Sequence, residues 1–215
     1  MQAIEEGLLM TVHEYSGADP DGLIKCTCTI KGLRPPKLGG YEKDNPNSLK
    51  VKKLLTIQII KHIEEYAVSR FICGGALGVD LIALNILYNL KKTSYPNLHI
   101  ILALPHAGFT DRCWYKANTE ETKMDEEHSD EVIHVDTIEG YISNKDAAAT
   151  GIHLTEKLIK TNQYRVDNSA YLLAVWDGSN GGTGGCIDYF KSKKAEGRML
   201  TVIDFAKNTV EVSYN

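Results

Sequence analysis

Short unbroken apolar runs alternate along the chain with longer stretches in which apolar residues recur every three to four positions. The runs are Cys26–Ile30, Arg70–Cys73, His99–Leu104, Glu131–Val135, Tyr171–Trp176 and Met199–Ile203. Apolar runs this short, without in-and-out alternation, predict strands buried on both faces of a parallel sheet. Between them, Val51, Leu54, Leu55, Ile59, Ile63 and Tyr66 form one helical stripe. Val79, Ile82, Ala83, Ile86, Leu87 and Leu90 form another, and Cys186, Ile187 and Phe190 open a third that runs to about Ala195. A polar, charge-rich helix is expected between Phe109 and His128. The βαβα order predicts an α/β fold, a Rossmann-like, doubly wound, mostly parallel sheet with helices on both faces and right-handed crossovers.

Two segments fit this rhythm less well. Residues 1–24 read as an N-terminal extension with a turn at Asp19–Gly22, ahead of a domain over residues 25–215. Thr137–Lys160 reads as a long insertion containing a helix that ends near Asp167. It acts either as a lid or partner surface, or as an ordinary connection.

Composition sharpens the picture only in part. The 215 residues carry 43% hydrophobic and 24% charged side chains, enough for one sizeable core. With 24 basic and 28 acidic residues the net charge is −4, which argues against nucleic acid as a partner. Cys26, Cys28, Cys73, Cys113 and Cys186 are scattered, and Cys26 and Cys28 lack the second pair a zinc site requires, so no metal is expected. They predict reduced thiols in a cytoplasmic protein. Met1–Leu9 includes Glu5 and Glu6 and does not resemble a leader, and no run is long enough to span a membrane.

The candidate chemistry lies where strands run into glycines. Cys73-Gly74-Gly75-Ala76-Leu77-Gly78-Val79-Asp80 joins a strand to a helix, and there positive φ and helix N–H groups suit an anion. Asp80 either favours the helix dipole or holds a ribose hydroxyl or another turn. Asp177-Gly178-Ser179-Asn180-Gly181-Gly182-Thr183-Gly184-Gly185 places five glycines in eight residues. Such a loop loses much conformational entropy on folding, and its amides with the Thr183 hydroxyl suit a phosphate. After the first strand, Lys31-Gly32-Leu33-Arg34-Pro35 brings Arg34 to the same edge, either to grip a phosphate or to stand solvated. Asn162 and Arg165, in Asn162-Gln163-Tyr164-Arg165, either reach the site or serve as caps. The loops carry neither G-x-x-x-x-G-K-[ST] nor G-x-G-x-x-G, and the seven histidines show no ligand spacing.

Taken in order, I-K-G-L-R-P-P-K-L-G-G-Y, I-C-G-G-A-L-G-V-D, N-Q-Y-R-V-D-N-S-A-Y-L-L-A-V-W-D-G and G-G-T-G-G resemble the SLOG superfamily, and its YspA/YpsA-like members most of all. Those members are common in Firmicutes and their phages, and the resemblance spans about Lys25 to Asp204. The superfamily includes the DNA-processing protein Smf/DprA, cytokinin-activating phosphoribohydrolases, and sensors of cyclic ADP-ribose species in antiphage systems. The resemblance implies a Rossmann-like fold and a nucleotide-like or ADP-ribose-like small-molecule ligand; no cofactor is expected. Gly32, Arg34, Gly74, Gly75, Gly78, Asp80, Asn162, Arg165, Asp177, Gly181, Gly182, Thr183 and Gly184 are the candidate ligand-binding residues.

There are departures. Relatives usually read T-G-H-R-P after the first strand, whereas Lys31, Gly32, Leu33 and Arg34 stand here. The phosphoribohydrolases carry P-G-G-x-G-T-x-x-E. Here Asn180 replaces the proline and Gly185 the threonine, while Asp188 stands at the glutamate. Asp188 is the one candidate catalytic residue, as an acid or base, with dipole stabilisation as the alternative. Three functions follow: a binder that senses or sequesters a nucleotide-derived signal, an N-glycosidase acting on nucleoside monophosphates, and an interaction module. A homo-oligomer is expected.

Overall fold

The apolar runs become strands because valine, leucine and isoleucine fit a pleated surface covered on both sides. A computed structural model describes residues 19, 21–42, 45–109, 127–143 and 152–214. Its strands are β1 (Thr27–Gly32), β2 (Arg70–Cys73), β3 (His99–Leu104), β4 (Glu131–His134), β5 (Tyr171–Val175), β6 (Met199–Asp204) and β7 (Thr209–Tyr214). They form one sheet in the order β4-β3-β2-β1-β5-β6-β7, parallel throughout except for the antiparallel β6–β7 pair. In the two central ladders Cys28 pairs with both Phe71 and Tyr171, and Gly32 pairs with Val175.

The helices are α1 (Pro46–Tyr66), α2 (Val79–Thr93), α3 (Ile152–Asp167) and α4 (Gly182–Ser192). Helix α1 starts at Asn45, whose side chain accepts the Ser48 N–H at 3.0 Å, with Pro46 in the first turn. Val51, Leu55 and Ile59 of α1 join Val79, Ala83 and Leu87 of α2 over Ile30, Phe71, Leu173 and Val175. On the opposite face Val166 of α3 and Cys186, Ile187 and Phe190 of α4 cover Leu172, Ala174 and Leu200. Adjacent residues of β5 thus enter opposite cores, which is why its sequence is apolar without a break.

Strand order reverses between β1 and β5, and the crossover helices change face there. In doubly wound sheets a crevice opens at that switch point, outside the carboxyl ends of the two strands. The turn at Asp19–Gly22 is present, with both Asp19 carboxylate oxygens accepting N–H bonds from Ile24 and Lys25 at 3.0 Å. Most of the helix expected between Phe109 and His128, together with Cys113 and most of the N-terminal extension, lies outside the described residues.

Two element starts and one whole strand stand out among the differences from expectation. Strand β1 begins at Thr27, because Cys26 closes a 3-10 turn, and it continues through Lys31 and Gly32. Helix α4 begins at Gly182, four residues earlier than its apolar stripe. Strand β7 has no counterpart in the predicted elements. Among the described residues no helix is long and apolar enough to cross a membrane.

Candidate functional site

The carboxyl end of β1 is where the candidate residues converge. Gly32 lets α2 approach, since a Cβ there would stand 2.5 Å from the Val79 side chain. Gly78, at φ +102°, precedes α2, and a Cβ on it would meet the Leu33 carbonyl oxygen at 2.4 Å. The first N–H of α2, on Val79, donates to that same carbonyl at 3.1 Å. One backbone contact therefore locks the β1 exit to the start of α2.

Beneath it lies a buried polar cluster. Arg165 and Asp80 are each about 1% exposed, with Nη1 3.0 Å from Oδ1. Arg165 Nε donates to Thr29 Oγ1 at 3.1 Å, and its Nη2 donates to the Ile30 carbonyl. The same Asp80 oxygen accepts the Gly74 N–H at 2.9 Å. A Cβ on Gly74 would lie 2.7 Å from Arg165 Nη1 and 2.9 Å from Asp80 Oδ1, so glycine is what admits the pair. Burial alone would raise the Asp80 pKa, but Lys31, Arg165, Arg34 and the Gly74 N–H outweigh it and hold the carboxyl below its ordinary range. Asp80 and Arg165 thus tie α2, α3, β1 and the Gly74–Gly75 turn together across a wide sequence gap.

The second glycine loop has a different character. Asp177 accepts the Ser179 N–H at 3.0 Å and the Ser179 hydroxyl, while Lys37 donates to Ser179 Oγ and stands 3.8 Å from Asp177. Gly178 (φ +81°) and Gly181 (φ +150°) need glycine for their backbone. Thr183, the second residue of α4, donates its hydroxyl to the Gly32 carbonyl at 3.0 Å and pins the helix start to the end of β1. A Cβ on Gly181, Gly182 or Gly185 would meet nothing within 4 Å, whereas one on Gly184 would touch Ser179 and Trp176. The first set of glycines is thus required by protein packing, and the loop into α4 is open.

The remaining candidates sit around this centre. Arg34 is exposed at the β1 exit, and Gly75 is buried in the first turn. Asn162 is half-buried on α3, one turn before Arg165. Asp188 is exposed and is the seventh residue of α4, not a residue of its first turn. Lys31, which stands where relatives carry the threonine of T-G-H-R-P, adds a charge at the end of β1. It projects to the same face as Thr29, and burial pushes its ammonium below its ordinary pKa, with Asp80 opposing the shift and Arg165 and Arg34 adding to it. Among the described residues no group of three His, Cys, Asp or Glu is placed to hold a metal ion.

A doubly wound Rossmann-like protein with glycine turns at its switch point is the class that fold and crevice define. The sequence profile of the YspA SLOG family matches residues 28–208, so the chain belongs to that family. It is 34% identical over 147 residues to the SPbeta prophage-derived protein YoqJ of Bacillus subtilis, an overlap of 68% of this chain and 84% of YoqJ. A UPF0398 protein of Brevibacillus brevis is 26% identical over 167 residues, covering 78% of this chain and 81% of the relative.

Among solved structures, DNA processing protein A from Helicobacter pylori, described for its single-stranded DNA binding mode, aligns with a TM-score of 0.45 at 13% identity. The alignment covers 86% of this chain and 68% of that one. The expectation that net charge argues against nucleic acid does not hold as stated, because the total charge is not the charge a phosphate meets. Phosphate binding answers to the local field of a crevice, and here Lys31, Arg34 and Arg165 gather around one carboxylate despite the acidic total.

Proposed function

We propose that the crevice at the β1–β5 switch point binds a nucleotide-derived small molecule of the ADP-ribose or cyclic-nucleotide type, and that the protein senses or sequesters it. The observation that carries this reading is the open start of α4. Gly182 and Gly185 have helical backbones and empty space where a Cβ would be, so neither packing nor φ requires glycine there. Glycine in a helix is unfavourable by about 1 kcal/mol relative to alanine. Close approach of a ligand to the first amides of α4 accounts for keeping it. The helix dipole favours a phosphate at that point, and the exposed Arg34 stands at the same edge of the sheet. Sequestration of an immune signal in a phage setting is consistent with the prophage origin of the relative YoqJ.

Calorimetry with ADP-ribose, cyclic ADP-ribose isomers, cyclic dinucleotides and AMP tests the proposal. Saturable heat with at least one of them is expected, and none with any would overturn it. Cleavage of a nucleoside monophosphate is the second reading and rests on Asp188 alone. Its exposed place two turns into α4 puts it about 9 Å along the axis from the helix start, at 1.5 Å per residue. Release of free base that is lost in Asp188→Asn would favour that reading over binding without turnover.

A further inference from the structure

Resting on the reading of this crevice as a ligand site, we propose that Lys31 is the ionic anchor for the ligand's phosphates and that the site selects a diphosphate-bearing nucleotide over an uncharged nucleoside. Lys31 is the penultimate residue of β1 and faces the α3–α4 side of the sheet. The groups that act on it are Asp80 at the start of α2, Arg165 of α3, Arg34 of the β1 exit and the Cys186 thiol of α4, whose pKa burial raises. Asp80 is committed to Arg165 and the Gly74 N–H. Among the described residues the Lys31 ammonium makes no hydrogen bond and no ion pair within 4 Å, and neither does the Arg34 guanidinium, although both backbones are bonded.

Three cations and one carboxylate leave an excess of two positive charges at a half-buried place. Holding an ammonium there without a partner is unfavourable, and a lysine retained in such surroundings calls for an anion. The Thr183 hydroxyl ties the start of α4 to the carbonyl of Gly32, the residue after Lys31, so the first amides of the helix and Lys31 lie at the same end of β1. Two phosphates, one charge each, match Lys31 and Arg34. A neutral nucleoside leaves both unanswered.

The test uses inorganic pyrophosphate, ADP-ribose and adenosine as probes, with wild type, Lys31→Met, Lys31→Gln and Lys31→Arg. Because burial depresses the Lys31 pKa and a bound anion raises it, binding by wild type takes up protons at any pH where free Lys31 has begun to lose its own. Calorimetry in two buffers of different ionisation enthalpy reads that uptake. Pyrophosphate and ADP-ribose are expected to weaken about 10- to 100-fold in Lys31→Met and Lys31→Gln, the loss of one charge-assisted contact. Proton uptake should vanish in both variants, and Lys31→Arg should restore affinity without it.

All variants should melt no lower than wild type, since an unpartnered charge is removed or replaced. Unchanged pyrophosphate affinity in both neutral variants, or adenosine binding as tightly as ADP-ribose, would overturn the anchor while leaving the ligand site in place. Lysine-dependent pyrophosphate binding without any nucleotide binding would keep the anchor and remove the nucleotide reading.

Discussion

At the scale of single residues, the buried Arg165–Asp80 pair is the most consequential feature. Buried pairs add little net stability, yet removing one partner strands the other charge and is unfavourable by about 3–5 kcal/mol. Arg165→Met should therefore destabilise by about that amount in urea unfolding, because Asp80 stays buried. Gly74→Ala should act through the same pair, since its methyl would enter the space between Nη1 and Oδ1. A loss below about 1 kcal/mol in both would show that the pair is not the organiser of the turn.

His62 supplies a pH dependence. It is fully buried in α1, its Nδ1 lies 2.7 Å from the Gln58 carbonyl, and it packs edge-on against Tyr66 and Tyr171. Burial lowers its pKa from 6.5 to about 4. Below pH 6.5 the unfolded chain gains a proton that the native state refuses, so stability falls with pH across that window. The fall amounts to about 3 kcal/mol by pH 4. Denaturant midpoints between pH 4 and 7 should slope accordingly in wild type and flatten in His62→Phe. An unchanged slope in that variant would assign the acid sensitivity elsewhere.

At the scale of elements, the sequence pattern was legible where burial made it so. The runs behind β2 and β3 match their strands to the residue, and the stripes behind α1 and α2 fall inside their helices. The start of α4 was hidden because glycine has poor helix propensity. What holds that turn is the Thr183 hydroxyl on a carbonyl 151 residues away and the Gly185 N–H on Gly181, and neither bond leaves a local sequence signal. Strand β7 was missed for a different reason. All six of its residues are exposed and it forms by pairing with β6, so its signal is the alternation of Val210, Val212 and Tyr214 with polar residues and not an apolar run.

The glycines of α4 give the prediction proper to this scale. Gly182→Ala should raise unfolding free energy by about 0.5–1 kcal/mol, because its Cβ meets open space in a helical backbone. The same methyl should weaken ligand binding. A variant that is more stable and binds equally well would remove the functional reason for glycine there.

At the scale of the whole molecule, the strand order determines where chemistry can occur. The sequence marked two glycine turns as equivalent cradles, and the fold makes them unequal. The Gly74 turn has its amide on Asp80, and the helix after it begins on the Leu33 carbonyl. The second loop leads into an open helix start that is tied to Gly32, the residue after Lys31. The distinction depends on contacts between residues far apart in the chain, Arg165 with Thr29 and Thr183 with Gly32, and no local motif encodes those.

Amide chemical-shift mapping during titration with ADP-ribose tests the central claim most directly. Saturable shifts centred on Gly181, Gly182, Thr183 and Gly184, extending to Gly32 and Arg34 and fading across β6 and β7, are the result the open α4 start predicts. Saturable shifts confined to another face of the sheet, or none at all, would contradict it.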